Sequence, residues 1–381
     1  MLSVFKIFFA LGWVSFGGPA AHIGYFRKAF VEQRRWLDDD EYAQLIALSQ
    51  FLPGPGSSQV GFALGYKKAG LGGAMMAFAG FTLPSVILML LLALVSSQLT
   101  ESSLFQGAVH GLKLMAVVVV ADATYGMYKS FCAHRIGAAL CIFSASALLL
   151  CSGVATQMLV LAASAVVGIA FLKGELVNSK QTFTPSLMPL LLFVGFLLLL
   201  PLISGSYAGL LLFNDFFQAG SLVFGGGHVV LPLLQSIVGD QLSQDTFLTG
   251  YAAAQAVPGP MFTFATYIGY SLLPGSPVVG AMLATAGVFL PGFLLLLTVL
   301  KNWHLLAEMP RVSGALKGVN AAVVGLLLAA LYQPVFVSAV FSGLDFALAL
   351  LGFYLLKQLK LPILSMVLFF ALSGVVTGLF V

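Results

Sequence analysis

Apolar stretches about 20 residues long, the length that crosses a hydrocarbon core, recur from one end of the chain to the other with short polar or Gly/Pro-marked gaps between them. Read as helices, they fall at residues 2–16, 42–66, 72–96, 106–128, 136–151 and 154–172, then 186–203, then 208–238, 247–272, 278–300, 312–331, 335–356 and 361–381. The longest stretch of ordinary polarity is 27–44, so no separate water-soluble domain fits. The pattern predicts an all-α polytopic membrane protein with roughly 12–13 membrane segments. Residues 1–16 are short, apolar and carry Lys6, as a signal peptide would, but an internal copy of that segment argues that it is retained.

The copy is part of a repeat. Phe16-Gly17-Gly18 is answered by Phe224-Gly225-Gly226 (224 − 16 = 208), and Gln50-Phe51-Leu52-Pro53-Gly54-Pro55 by Gln255-Ala256-Val257-Pro258-Gly259-Pro260 (255 − 50 = 205). Gly65-Tyr66 pairs with Gly269-Tyr270 (269 − 65 = 204), Leu83-Pro84 with Leu290-Pro291 (290 − 83 = 207), and Leu112-Lys113 with Leu316-Lys317 (316 − 112 = 204). The expected organisation is an N-terminal repeat at 1–172, a linker with an extra apolar segment at 173–206, and a C-terminal repeat at 207–381.

If every segment crosses, the linker helix makes the first interval odd and the second copy starts on the opposite side: the repeats are inverted, a recurrent transporter architecture. The N-terminus then shares a side with Lys67, Lys68, Lys129, Arg135, Lys173, Lys180, Lys301, Arg311, Lys357 and Lys360, which the positive-inside rule makes cytoplasmic. A rival count makes the Pro-Gly-Pro segments re-entrant; it moves Arg27 to Arg35 to the same side and requires a linker helix that does not span.

Candidate chemistry gathers at the interruptions. Proline removes a backbone donor and glycine permits a sharp change of direction, so the helices must break at Pro53-Gly54-Pro55 and Pro258-Gly259-Pro260. Exposed peptide groups are tolerated inside a bilayer only against protein or a water-filled cavity. The helix restarting at Gly56-Ser57-Ser58-Gln59 offers free amides, a positive dipole end, two hydroxyls and a carboxamide, a seat for an oxyanion. The second copy reads Met261-Phe262-Thr263-Phe264, with one hydroxyl, so the first copy is expected to dominate. A plain packing kink is the bland alternative, and recurrence in both copies, each after Gln50 or Gln255, speaks against it.

Gly17-Gly18 and Gly225-Gly226 are expected to break the first helix of each repeat, close helix packing being the alternative. His22 and His228 beside these breaks, and Asp122 within an apolar segment, are the proton-coupling candidates. Asp215 is the other acid inside an apolar run. Lys113 and Lys317, at matched positions, either snorkel to the interface or help neutralise an anion.

Composition narrows the classes. The chain is 60% hydrophobic and 8% charged, with net charge +4, and its basic residues are scattered in ones and twos, which excludes a nucleic-acid stripe. Cys132, Cys141 and Cys151 match no metal or redox spacing and read as buried packing residues. No Walker loop, metal-ligand cluster or hydrolytic constellation is present in the sequence, so an enzyme, a cofactor and a metal are not expected. The expected partners are an oxyanion and the lipid bilayer, with a homodimer left open.

The motifs Phe16-Gly17-Gly18-Pro19, His22-Ile23-Gly24, Arg35-Trp36-Leu37, Gln50 to Pro55, Ser57-Ser58-Gln59-Val60-Gly61 and Gly80-Phe81-Thr82-Leu83-Pro84 resemble the chromate transporter (CHR) family. Gly225-Gly226-Gly227-His228 and Gln255 to Pro260 resemble its C-terminal domain, as in a two-domain member. The resemblance implies export of chromate, with sulfate as a related oxyanion, across the bacterial inner membrane and hence chromate resistance. An anion channel, a carrier of another anion and a chromate reductase are the alternatives. Alternating access is expected to rock one repeat against the other.

Overall fold

The computed structural model describes residues 1–16, 18–98, 102–151, 153–172, 184–224, 229–238, 241–301 and 309–380, and every regular element among them is helical. The first repeat contains α1 (Leu2–Val14), α2 (Gly18–Phe26) continued by a π-helical turn (Arg27–Gln33), α3 (Asp39–Phe51), α4 (Gly56–Gln98), α5 (Ser103–Phe131), α6 (Arg135–Leu150) and α7 (Val154–Phe171). After α8 (Leu187–Ile203) come α9 (Ala208–Leu222), α10 (Val230–Val238), α11 (Gln244–Ala256), a 3-10 turn (Met261–Thr263) leading into α12 (Phe264–Leu272), and α13 (Pro277–Val299). α14 (Pro310–Ala330) ends in a π-helical turn (Leu331–Phe336) and is followed by α15 (Gly343–Lys357) and α16 (Ile363–Phe380). α4 is two limbs, 56–68 and 71–98, turned at Ala69 and Gly70, and these limbs correspond to α12 and α13.

The broken segments fold back on themselves instead of crossing. Phe8 of α1 packs on Phe26 and Phe30, with ring centroids 5.6 and 4.8 Å apart, so α2 returns alongside α1. Glu41 at the start of α3 forms an ion pair with Lys67 at the end of the first limb of α4. In the second repeat, Phe264 of α12 meets Phe247 and Tyr251 of α11 at 5.0 and 5.7 Å. Both partners in each hairpin are too short to span alone, and the caps that open α3 and α11 fix where the chain turns inward. Asp38 accepts from the Glu41 amide at 2.8 Å, and Ser243 accepts from the Thr246 amide at 3.2 Å.

The packing favours the re-entrant reading over thirteen crossings, with a further correction: α8, an apolar helix of 17 residues, runs from one face to the other. Glu41, Lys67, Ser186 and Lys301 line one cavity, which places the ends of the first limb of α4 and of α13 and the start of α8 on one face. Ser96, Phe105, Ser243 and Pro277 line another, on the opposite face. The second limb of α4 thus runs away from the Lys67 face while α13 runs toward it, which is the inversion itself. Gly209 at the start of α9 lies beside Leu283, early in α13, so α8 has carried the chain across. α8 runs from face to face because α1 and α2 form a hairpin as well, restoring the parity that the rival count lacked.

Arg27 to Arg35 share a face with Lys67, Lys68, Lys129, Arg135, Lys301, Arg311, Lys357 and Lys360, hereafter the basic face; Lys113 is the one described lysine that points to the far face.

The repeats interlock. α5 packs along α16 of the other repeat, and α14 along α7. Both seams are made of small residues, which let backbones approach closely: Gly107 and Gly111 lie against Gly374, and Gly314 and Gly318 against Gly168. A Cβ on Gly111 or on Gly318 would land on backbone atoms of the partner helix. These seams join α5, α6, α7, α14, α15 and α16 into one body, while α1 to α4 and α8 to α13 form a second. Each body holds parts of both repeats, so neither repeat packs as a unit by itself.

Candidate functional site

Each Pro-Gly-Pro loop lies in the hairpin body and is held by the other repeat. The Gly54 amide donates to the Val223 carbonyl at 2.7 Å, and the Gly259 amide donates to the Ser15 carbonyl at 2.9 Å. Val223 and Ser15 are the ends of the first helices of the opposite repeats (223 − 15 = 208). Each helix break thus satisfies a peptide group of the other, which is how interrupted backbone is made tolerable inside a membrane. Both glycines need left-handed backbone, with φ of +114° at Gly54 and +98° at Gly259, a region that a Cβ disfavours. There is also no room for one: it would sit 2.9 Å from the Gly292 Cα at Gly54, and 2.9 Å from the Ser85 Oγ at Gly259.

Around its loop the first repeat places most of the polar side chains proposed from the sequence. α4 restarts at Gly56, and its first intrahelical bond is Gln59 amide to Pro55 carbonyl at 2.9 Å, so the amides of Gly56, Ser57 and Ser58 lie ahead of the hydrogen-bonded ladder. His22 is fully buried. Its Nε2 lies 3.1 Å from the Ser15 carbonyl and its Nδ1 3.1 Å from Ser57 Oγ. A carbonyl can only accept, so Nε2 carries the proton, and in the neutral ring Nδ1 accepts from the Ser57 hydroxyl. Gln59 Nε2 donates to the Pro53 and Gly292 carbonyls at 2.8 and 3.0 Å, tying α4 to α13.

Four buried oxygens nearby, Ser15 Oγ, Ser58 Oγ, Gln59 Oε1 and Thr82 Oγ1, have no partner among the described residues. Buried polar atoms are normally satisfied; these are the groups free to meet a guest or water.

The second repeat contributes differently. Thr263 is buried, but its hydroxyl donates to the Pro260 carbonyl at 2.8 Å, and its flanking Phe262 packs on Phe289 with centroids 5.8 Å apart. Gln255 is half-buried and its Nε2 lies 3.3 Å from Met261 Sδ. Gln50 is exposed on α3. Gly18 has φ of +74° at the start of α2, where a break was expected. Gly17, Lys173, Lys180, Gly225, Gly226, Gly227 and His228 lie outside the described residues.

The lysines and Asp122 stand apart from this centre. Lys113 is buried in α5 and donates to Asp245 of α11 at 2.6 Å, lining a far-face cavity of about 810 Å³. Lys317 is exposed on the basic face beside Ser130, Phe131, His134 and Leu172. Their supposed equivalence is corrected by the packing. The seams superpose Gly107 on Gly314 and Gly111 on Gly318 (314 − 107 = 207), so Lys113 corresponds to Asn320 and Lys317 to His110. Asp122 accepts from Lys357 at 2.6 Å within the other body. Cys151 is exposed, contrary to the packing role expected of all three cysteines.

Ser15, Thr82, Ser85 and Gly292 are the site residues that the sequence reading passes over. The signal is there: Leu83-Pro84 and Leu290-Pro291 are paired landmarks, and Ser85 and Gly292 follow them at the same shift (292 − 85 = 207).

Comparison with known proteins agrees with this duplicated plan. The family model "Chromate transporter" matches twice, over residues 2–169 and 210–377. The chain is 28% identical over 346 residues to the chromate transport protein of Pseudomonas aeruginosa, covering 85% of this chain and 78% of that one. It is 29% identical over 352 residues to the chromate transport protein of Cupriavidus metallidurans, covering 91% and 84%. An uncharacterized transporter of Methanocaldococcus jannaschii is 27% identical over 339 residues, covering 86% and 83%. No solved structure gives a significant match.

Proposed function

This chain belongs to the chromate transporter family, and from that premise we propose that it exports chromate, with sulfate-like oxyanions as competitors, by alternating access across the bacterial inner membrane. The observation that carries the reading is the tie of each Pro-Gly-Pro loop to the end of the other repeat's first helix, beside unladdered amides and unpartnered buried oxygens. A helix N-terminus with Ser57 and Ser58 supplies donors for anionic oxygens. Gln59 Oε1, an acceptor, suits a hydrated or singly protonated oxyanion.

The basic face is cytoplasmic by the positive-inside rule. An inside-negative potential then drives a dianion outward by about 2.3 kcal/mol per charge for each 100 mV. His22 is the coupling candidate. When protonated, its Nδ1 becomes a donor to Ser57 Oγ, and the Ser57 O–H, no longer engaged with the ring, can turn to donate to the guest. A dianion leaving with one proton still moves one negative charge outward. The same site in a channel would pass anions without coupling.

The test is chromate accumulation in everted vesicles, with pH and voltage gradients imposed separately. Ser57→Ala combined with Ser58→Ala is expected to lower accumulation at least about tenfold, the size of one lost charge-assisted hydrogen bond, while membrane insertion stays intact. Undiminished accumulation by the double variant would remove the site. Chromate that merely equilibrates, and never rises above its electrochemical balance, would turn the carrier into a pore.

A further inference from the structure

One face of α3 is exposed along a helical stripe, Ala43, Gln44, Ala47 and Gln50, headed by Asp40. Shifted by 205, the register shared by the caps and the Pro-Gly-Pro loops, these residues become Leu248, Thr249, Ala252 and Gln255, headed by Asp245 on α11. There Leu248, Thr249 and Ala252 are buried. The cause is packing: α11 lies against α5 and α16 of the other body, whereas α3 packs on α4 and the π-helical turn of its own body. Asp245 accepts from Lys113 at the rim of that closed contact. Asp40, its counterpart, is exposed and has no ion-pair partner among the described residues.

The exposed stripe is not built for lipid. α8 meets the outside with Leu187, Met188, Leu191, Leu198, Leu199 and Leu202, while α3 offers alanines and glutamines, as a helix does that lines water or awaits a protein surface. On the opposing body, Asn320 of α14 occupies the position of Lys113, and its side-chain NH2 can donate where the Lys113 ammonium donates in the other repeat.

We propose that the face Asp40/Ala43/Gln44/Ala47/Gln50 is a second gate surface. In the opposite state of the transporter it docks on α14, with Asp40 accepting from the Asn320 amide as Asp245 now accepts from Lys113. The structure is then the state in which α11 is packed on the opposing body and the α3 face is free. An inverted repeat supplies the other state by exchanging which copy is packed and which is free. The inference rests on the transport reading but not on the identity of the anion. It also assigns an asymmetry: the far gate is latched by an ion pair and the basic-face gate by an amide and a carboxylate.

The experiment uses the full chain in membrane vesicles, with Cys132, Cys141 and Cys151 replaced by serine and a single reporter cysteine introduced by Ala47→Cys on α3 or by Ala252→Cys on α11 (252 − 47 = 205). A membrane-impermeant maleimide is applied from each side, and no substrate is needed. The α3 reporter is expected to label from the basic face and the α11 reporter to be protected. Lys113→Gln should unlatch the far gate, cutting the labelling rate of the α3 reporter several-fold and raising that of the α11 reporter from the far face. Asn320→Lys, which creates an ion pair at the basic-face gate, should protect the α3 reporter, and adding Asp40→Asn should restore its labelling. Failure of the α3 reporter to label at all, indifference of both reporters to these variants, or a rise at both together would overturn the gate. None of those outcomes touches the chromate assignment, which the vesicle accumulation assay decides.

Discussion

The two repeats share a backbone plan and part company in chemistry. At the restart of the broken helix, the first repeat has Gly56-Ser57-Ser58-Gln59 with His22 against it, and α4 begins directly as α-helix. The second has Met261-Phe262-Thr263, which forms a 3-10 turn, buries two apolar side chains and spends its one hydroxyl on Pro260. A pseudo-twofold frame holding identical residues would offer two equal half-sites to one small guest. With the polar groups kept in one copy and aromatic rings filling the other, the site proposed above is a single seat, and the gate proposed above uses the shared frame for two packings of the bodies.

The comparison is tested most severely at the two loop glycines. Gly54→Ala meets a φ of +114° and the Gly292 Cα at 2.9 Å, a backbone atom that cannot step aside. Gly259→Ala meets a φ of +98° and the Ser85 Oγ, a side chain that can rotate. The left-handed conformation costs roughly 1–2 kcal/mol in either case, and overpacking adds about 1–3 kcal/mol at Gly54. Thermal unfolding in detergent should rank Gly54→Ala well below Gly259→Ala, and chromate transport should vanish in the first and persist partly in the second. Equal losses would mean that the two loops are symmetric in rigidity as well as in plan.

The seams make the opposite forecast, because here the repeats agree. Gly111→Ala drives a Cβ into the Phe370 backbone and Gly318→Ala into the Ser164 backbone. Each should destabilise the protein by about 1–3 kcal/mol, and by similar amounts, as read from detergent melting. A large disparity would show that one seam carries the body alone.

Much of this was legible in the chain and some of it was not, for physical reasons. Hydropathy marks which residues leave water, so the apolar runs and the shift near 205 stand out at once, as do the breaks at residues whose backbone cannot continue a helix. Whether a run crosses or returns depends on contacts such as Phe8 with Phe30 and Glu41 with Lys67, which hydropathy does not encode. The pairing of Lys113 with Lys317 fails because two like charges outweigh a better signal: Gly107-Ala108 with Gly111 repeats as Gly314-Ala315 with Gly318, and helix packing needs small residues where backbones touch. The polar character of the first site is visible in Ser57, Ser58 and Gln59, and Gly292 is marked by the Leu290-Pro291 landmark before it; that Ser15 joins them is hidden, since it arrives from another helix.

The finest distinction between the repeats lies in one hydroxyl each. Ser58 and Thr263 occupy equivalent positions (263 − 58 = 205) and both are buried. Ser58 Oγ has no partner among the described residues, whereas Thr263 Oγ1 donates to the Pro260 carbonyl. A donor already engaged within its own turn stabilises the loop by roughly 1 kcal/mol and has little to offer an anion, so Thr263→Ala should lower the melting temperature slightly and leave the KM for chromate within about twofold. Ser58→Ala should do the reverse, raising KM several-fold with the melting temperature unchanged, because an unpaired hydroxyl contributes nothing to the empty fold. Swapped results, with KM responding to Thr263 and stability to Ser58, would move the seat of the oxyanion into the second repeat.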